Sequence, residues 1–182
     1  MQQQALEHKR LTREKIGKRL ALKDPRPNFF QGLITGTGDW RLGREQLENN
    51  GEFITMAGSE TTASLLGGAV YQLTTNPRVM AKLVDEIIAT FKNEGEITLV
   101  SAGGLPYLCA VTEESLRTFP PGTNTQPRST PSEGNVILGD HIPGNIVVGI
   151  PHHAMYYTEA NFKRAHEFIP ERWMNDPEFA SD

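Results

Sequence analysis

Apolar positions follow a helical period through much of the chain. The longest such pattern covers residues about 45–75 and is apolar around much of its circumference, which predicts a buried helix. Asn76 and Pro77 then restart the pattern as an N-cap and a first helical residue. The same period predicts three further helices: from the N-terminus to near Lys23, over about 77–92 and over about 105–119.

The pattern changes in the last third of the chain. Short β-branched runs separated by Gly and Asp predict a small β region over about 125–150, with strands at 136–138 and 146–150. The segment 158–182 is predicted to begin with a short helix and to be extended or irregular from Pro170 onward. The expected fold class is therefore mainly α with a small β-sheet, in a single partial domain.

Composition and charge narrow the classes of function. The net charge of −4 gives no nucleic-acid signal, and no stretch supplies the roughly 20 apolar residues of a membrane span. Residues 1–23 carry seven basic and two acidic side chains, which we interpret as a solvated helix face, with docking to an acidic partner or anionic lipid as the alternative.

The single cysteine, Cys109, excludes an internal disulfide and a cysteine-based zinc site. The loop 36–41 lacks the third glycine of a dinucleotide-binding motif, so we do not predict a nucleotide-binding site there.

A stripe of small and polar residues interrupts the apolar surface of the long helix. Ala57, Glu60 and Thr61 fall on one face of it. Gly58 costs the helix about 0.5–1 kcal/mol relative to Ala, which suggests that something approaches the backbone closely. The Thr61 hydroxyl can bond to the Ala57 carbonyl and loosen the helix, and with the Glu60 carboxyl it could relay protons. The alternative is that small residues only permit close helix packing, with Glu60 at a solvent-reaching edge.

Glu114, Arg117 and Arg172 are candidates for an ion cluster. Glu114 and Arg117 lie three residues apart on a helix, and Arg172 follows Pro170 in a segment that could fold back onto them. One carboxylate could then hold two guanidinium groups and fix the segment around Trp173. The helical wheel favours a surface ion pair instead, because Glu114 lies opposite the predicted apolar face, formed by Leu105, Leu108, Cys109, Leu116 and Phe119.

Six motifs follow one another along the chain in a fixed order: Ala57 to Thr62, Asn76-Pro77, Glu114 to Arg117, Phe119-Pro120-Pro121, Pro127-Arg128, and Phe168-Ile169-Pro170-Glu171-Arg172-Trp173. As an ordered set over about residues 25–173, they resemble the haem-thiolate monooxygenases, the cytochromes P450 of eukaryotic type. The resemblance implies a partial cytochrome P450 fold and, in the complete family member, a b-type haem. It also implies insertion of one oxygen atom from dioxygen into a small apolar substrate, with electrons from a separate reductase. A full-length protein is expected at the endoplasmic reticulum membrane, and this chain alone is expected to be soluble and cytoplasmic.

The resemblance also implies roles for individual residues. Glu60 and Thr61 would deliver protons during oxygen activation, and Ala57 and Gly58 would line the distal face of the haem. Arg128 would pair with a haem propionate, the alternative being an arginine in a surface loop. The other implied roles are a structural triad and a substrate-pocket border: Glu114, Arg117 and Arg172 for the triad, and Thr123 to Thr130 with Val147 to Ile150 for the border.

The sequence departs from the family pattern at the iron ligand. The haem-binding loop Phe-x-x-Gly-x-x-x-Cys-x-Gly does not occur in these 182 residues, so no metal ligand is assigned. Cys109 cannot substitute for the missing cysteine, because it precedes the triad on the apolar face of the same helix. His152 and His153 are the nearest alternative ligands, but they are expected on opposite faces of an edge strand and so do not converge. This chain by itself is expected to be inactive, and its retention of haem is left open. The alternatives are a non-catalytic helical binding or scaffold fragment, or an incomplete gene model.

Overall fold

The computed structural model describes residues 2–22, 29–35 and 42–182. These residues fall into two compact units, Met1–Thr61 and Thr62–Asp182, which are described separately below. The loop 36–41, where the sequence speaks against a dinucleotide site, lies outside the described residues.

The first unit is helical and contains α1 (Gln2–Ala21), α2 (Phe29–Thr35) and the first part of α3 (Arg44–Thr75). Thr12 and Ile16 of α1 are buried, as is Leu47 of α3. The basic residues of α1 are largely solvated, as expected: the Arg10 and Lys18 side chains are 65% and 76% exposed. Their ion pairs with glutamates therefore add little stability.

The long helix α3 is exposed over most of its length, so the prediction that it is buried is wrong for the residues described. Phe53 and Tyr71 are both 64% exposed, and Leu66 and Val70 are both 60% exposed. A helix that is apolar on all sides has a large surface whose burial would be favourable. That surface is buried only where neighbouring elements cover it, and the pattern does not show whether they do. The described residues cover α3 only locally.

The second unit is built on two helices, α4 (Pro77–Thr90) and α6 (Pro106–Thr118), with the short α5 (Leu99–Gly103) between them. Proline opens both α4 and α6, as its fixed φ favours. The Glu86 carboxylate of α4 accepts hydrogen bonds of 2.8 and 2.9 Å from the backbone N–H groups of Tyr107 and Leu108. Those donors have no partner inside the helix, so α4 caps α6 and fixes its start.

The core of the second unit lies where α4 and α6 meet the C-terminal segment. Its central residues come from all three parts: Val79, Leu83, Tyr107, Val111 and Phe168. Leu73, at the end of α3, packs against this cluster. A single small core thus joins residues nearly one hundred positions apart in the sequence, and it positions α6 against the chain that follows Phe168.

The predicted small sheet consists of two separate antiparallel pairs. β1 (Arg128–Ser129) pairs with β4 (Val147–Val148), and β2 (Asn135–Ile137) pairs with β3 (Asp140–Ile142). Leu138 and Gly139 join β2 to β3 with φ angles of 53° and 93°. Positive φ at both central positions defines a type I′ turn, so Leu138 lies in the turn and not in the strand where it was predicted.

The segment after β4 differs from its prediction in two places. His152 and His153 do not lie on an edge strand, because they begin a short helix, α7 (His152–Tyr156). Residues 158–168 form turns and not the predicted helix. Two 3₁₀ turns follow, Pro170–Trp173 and Pro177–Phe179, so the irregular segment is more compact than an extended chain. None of the described helices is long and apolar enough to cross a membrane.

Close backbone packing in α3 occurs at Gly68 and not at Gly58. A Cβ atom at Gly68 would lie 2.5 Å from Cδ1 and 2.8 Å from Cβ of Phe119, whereas one at Gly58 or Gly67 would meet no atom of the residues that the structure describes within 4 Å. Gly68 therefore has a packing reason to lack a side chain.

We expect Gly68→Ala to destabilise the protein by about 1–3 kcal/mol, because the methyl group overlaps with Phe119. The matched control, Gly67→Ala, should stabilise it by about 0.5–1 kcal/mol, because alanine favours the helix and the site is open. Denaturant unfolding of both variants measures the difference. Equal effects of the two substitutions would contradict the packing assignment.

Candidate functional site

Glu114 of α6 is fully buried and lies at the centre of a hydrogen-bond cluster. Its carboxylate accepts two bonds of 2.8 Å from Nε and Nη2 of Arg117, and one of 3.2 Å from Nε of Arg172. The backbone N–H of Ile169 and the indole Nε1 of Trp173 add bonds of 2.8 and 2.9 Å. The structure thus brings the three predicted residues together in the interior, and the surface ion-pair interpretation of Glu114 and Arg117 is wrong.

The helical wheel failed because it ranked faces of α6 by hydrophobicity. The buried positions of α6 recur every three or four residues and include most of its polar side chains: Tyr107, Ala110, Val111, Glu114, Ser115, Arg117 and Thr118. Leu116 and Phe119 of the predicted apolar face are 36% and 47% exposed. A charged face can be buried when each charge has a partner. Here Glu114 and Arg117 pair with each other, and their further partners come from residues far along the chain.

Arg117 also donates hydrogen bonds to the backbone. Its Nη1 atom donates to the carbonyl oxygens of Tyr156 and Ala165 at 2.8 and 2.7 Å, and Nη2 donates to that of Glu167 at 2.9 Å. Its guanidinium carbon also lies 5.2 Å from the ring centroid of Phe162. One arginine therefore fixes the irregular chain between α7 and the first 3₁₀ turn, where few backbone groups are paired with each other.

Asp182 is a member of this cluster that the sequence did not indicate. Its Oδ2 atom accepts from Nη1 of Arg172, and its Oδ1 atom accepts from the Lys163 backbone N–H at 2.8 Å. The Asp182 side chain is 6% exposed. Two buried arginines are thus balanced by two carboxylates, which removes the cost of a net buried charge. A lone aspartate after Ala-Ser carries no sequence signal for this role.

Glu171 forms a second cluster on the other side of the 3₁₀ turn. Its carboxylate accepts from both terminal nitrogens of Arg78, from Lys82 Nζ at 2.6 Å and from the Tyr107 hydroxyl at 3.3 Å. Burial alone would raise the pKa of Glu171, but the bonds from Arg78 and Lys82 outweigh it and lower the pKa to about 2. Burial, with the Glu171 charge nearby, raises the pKa of Tyr107 to about 12.

The polar stripe of α3 contains the predicted backbone-bonded hydroxyl. Thr61 Oγ1 donates to the Ala57 carbonyl oxygen at 2.6 Å, and Ser59 Oγ donates to that of Thr55 at the same distance. Because these bonds use the hydroxyl protons, the hydroxyl oxygens keep lone pairs that can accept from water or a ligand. Glu60 is exposed beside them. The stripe is open and hydroxyl-rich, and its participation in chemistry stays a prediction.

Arg128 lines a cavity of about 460 Å³ in the second unit. The other lining residues are mostly apolar: Gln126, Ile137, Ile142, Val148, Gly149, Ile150 and His152. Arg128 lies in β1 and donates to the Pro127 carbonyl oxygen at 2.9 Å. Residues from both predicted pocket-border segments thus surround one cavity, which suits an apolar ligand that carries an anionic group.

Two of these places fit parts of a haem. The Arg128 cavity pairs a guanidinium with aliphatic walls, as a porphyrin edge with carboxylates requires, and Gly58 leaves open space beside the α3 backbone. Cys109 is exposed on α6 and its Sγ atom lies 3.5 Å from the Gly103 carbonyl oxygen. Within the described ranges, no group of three or more His, Cys, Asp or Glu residues could hold a metal ion.

The sequence of this chain matches one family of known proteins. The family model described as Cytochrome P450 matches residues 2–181. The cytochrome P450 monooxygenase astA of Talaromyces wortmannii is 40% identical over 186 residues, which cover 100% of this chain and 37% of that protein. The monooxygenases sthF of Phaeosphaeria nodorum and prhB of Penicillium brasilianum are 44% and 43% identical, each over 93% of this chain. The chain spans about a third of the length of these curated relatives.

We expect Glu114→Gln to destabilise the protein by about 3–5 kcal/mol, because it leaves two buried guanidinium groups short of a counter-charge. The matched control, Glu113→Gln, changes an exposed neighbour on the same helix and should stay within about 0.5 kcal/mol. Thermal and denaturant unfolding measure both. Similar values for the two variants would show that Glu114 is solvated.

The Glu171 cluster predicts a pH dependence. Its folded-state pKa of about 2 lies below the ordinary value of 4.5, so its contribution is fully present above about pH 4.5 and is lost as pH falls through 2. The difference in unfolding free energy between the wild type and Glu171→Gln should therefore be constant near neutral pH and shrink between pH 4.5 and 2. A difference that does not change across this range would contradict the ion pairs with Arg78 and Lys82.

Proposed function

Because this chain belongs to the cytochrome P450 family, we propose that it forms part of a haem-dependent monooxygenase that inserts one oxygen atom from dioxygen into a small apolar substrate. The observation that carries the proposal is the buried Glu114 cluster, which joins α6 to the turn around Arg172 as the family motifs imply. The family match and the monooxygenase relatives support this proposal over the binding or scaffold alternative. The electrons would come from a separate reductase.

We assign the haem contacts unit by unit. In the first unit, Ala57 and Gly58 would line the distal face of the macrocycle, where a Cβ atom added at Gly58 would meet no atom of the described residues within 4 Å. In the second unit, Arg128 would pair with a propionate at the cavity described above. When bound, haem would supply the activation of dioxygen, which no side chain of this chain can supply.

Thr61 and Glu60 would move the protons that this reaction consumes. The Thr61 hydroxyl donates to Ala57, so its oxygen is oriented to accept a hydrogen bond from a water or from the ligand. The exposed Glu60 carboxyl would exchange protons with solvent and pass them on through such a water.

The Glu114 cluster would act by positioning and not by chemistry. It ties α6 to the carbonyl groups of residues 156–167 and to the turn at Pro170–Trp173. Since α7 is tied through Tyr156, the cluster also holds the residues next to the Arg128 cavity. The aliphatic lining of that cavity supports the small apolar substrate class, and the eukaryotic type of the family supports association of the whole protein with the endoplasmic reticulum membrane.

A chimera tests the proposal. Residues 2–181 of this chain would replace the matching segment of the Talaromyces wortmannii relative, and the product would be assayed for haem content, a thiolate-type carbon monoxide spectrum and substrate oxidation with reductase. We expect all three to be retained. A folded chimera that binds no haem would contradict the proposal.

In the same chimera, we expect Thr61→Ala to reduce product formation by about 10²-fold or more, the scale of general acid-base effects, while electron consumption persists. The matched control, Thr74→Ala, removes a hydroxyl from the same helix that also bonds to the carbonyl one turn earlier. It should keep full coupling of electrons to product. Equal coupling in the two variants would remove Thr61 from the proton path.

A further inference from the structure

The cavity that Arg128 lines also has a second ionisable side chain. His152 lines it together with Arg128, and the remaining lining residues carry no charge. The fold brings the two together through the β1–β4 pair, in which Arg128 lies opposite Val148 and α7 begins at His152. Neither the sequence motifs nor the family relatives assign a role to this histidine.

The ring of His152 is held in one orientation. Its Nδ1 atom lies 3.2 Å from the carbonyl oxygen of Gly122, and its ring stacks on Tyr156, one turn along α7, with centroids 6.1 Å apart. A carbonyl oxygen can only accept, so Nδ1 carries the proton of this hydrogen bond. The other ring nitrogen, Nε2, has no hydrogen bond to any residue that the structure describes.

The surroundings of Nε2 favour an anion. A carboxylate beside Nε2 would stabilise the doubly protonated ring, which then donates from both nitrogens. Arg128 supplies a permanent positive charge in the same cavity, whose walls include the aliphatic side chains of Ile137, Ile142 and Val148. A carboxylate held by two charged donors is bound more tightly and in a more defined orientation than one held by a single donor.

We propose that His152 is a second contact for a porphyrin carboxylate, acting with Arg128 as a two-donor clamp at this cavity. The inference rests on the proposed function, since it takes haem as the ligand. Gly122 serves as the positioning group, because its carbonyl fixes which ring nitrogen faces the ligand. The chemistry that His152 recognises is a carboxylate on a flat apolar body.

The test uses the purified chain and metal-free protoporphyrin IX, with its dimethyl ester as the probe that lacks carboxylates. Binding is followed by quenching of tryptophan fluorescence, and thermal unfolding confirms that each variant is folded. We expect His152→Phe to weaken binding of the free acid about tenfold and to leave binding of the ester unchanged. His152→Gln, which keeps a donor for the Gly122 carbonyl but no charge, should weaken the free acid severalfold.

His153→Phe is the matched control, because His153 is the neighbouring histidine and stacks on Tyr157 at 4.6 Å. It should leave binding of both probes unchanged. If the wild type binds the free acid and both His152 variants bind it equally well, the clamp is wrong while the haem assignment survives. If the wild type binds neither porphyrin, the proposed haem site itself is overturned and the clamp with it.

Discussion

The structure of the second unit depends on the balance of charge around one buried carboxylate. Glu114 is excluded from solvent and would be costly there alone, but Arg117, Arg172, Trp173 and the Ile169 backbone all donate to it. With Asp182 as the second anion, the cluster contains as many negative as positive groups. Each member is therefore stable only in the presence of the others, and the irregular chain after α7 is held by side chains where regular backbone pairing is missing.

This dependence connects the core to the sites proposed for ligands. Arg117 holds the carbonyl of Tyr156 in α7, and α7 begins with His152 at the edge of the Arg128 cavity. A change in the cluster would thus reach the cavity through one short helix, without a residue of the cluster touching the ligand. On the outside of the same turn, Glu171 binds α4 through Arg78 and Lys82, so neighbouring residues of the motif hold two different elements.

The sequence predicted α1, α3, α4 and α6 to within two residues at each end, because prolines mark the starts of α4 and α6 and follow the ends of α1, α3 and α6. It did not predict that α3 would be exposed, since periodicity shows which surface favours burial but not what covers it. It placed Glu114 on the surface because the wheel ranks faces by hydrophobicity, whereas the partners of Glu114 other than Arg117 lie more than fifty residues away. The contacts of Asp182 and of His152 could not be predicted from the sequence, because they are tertiary contacts made by short segments that carry no motif.

The central claim is that Glu114 and Arg172 stabilise the protein through each other. A double-mutant cycle with Glu114→Gln, Arg172→Gln and the double variant measures this directly from unfolding free energies. The account predicts that the double variant is less destabilised than the sum of the single variants, with a coupling energy of about 1–3 kcal/mol. Additive effects, with a coupling energy near zero, would show that the two residues act independently and would contradict the account.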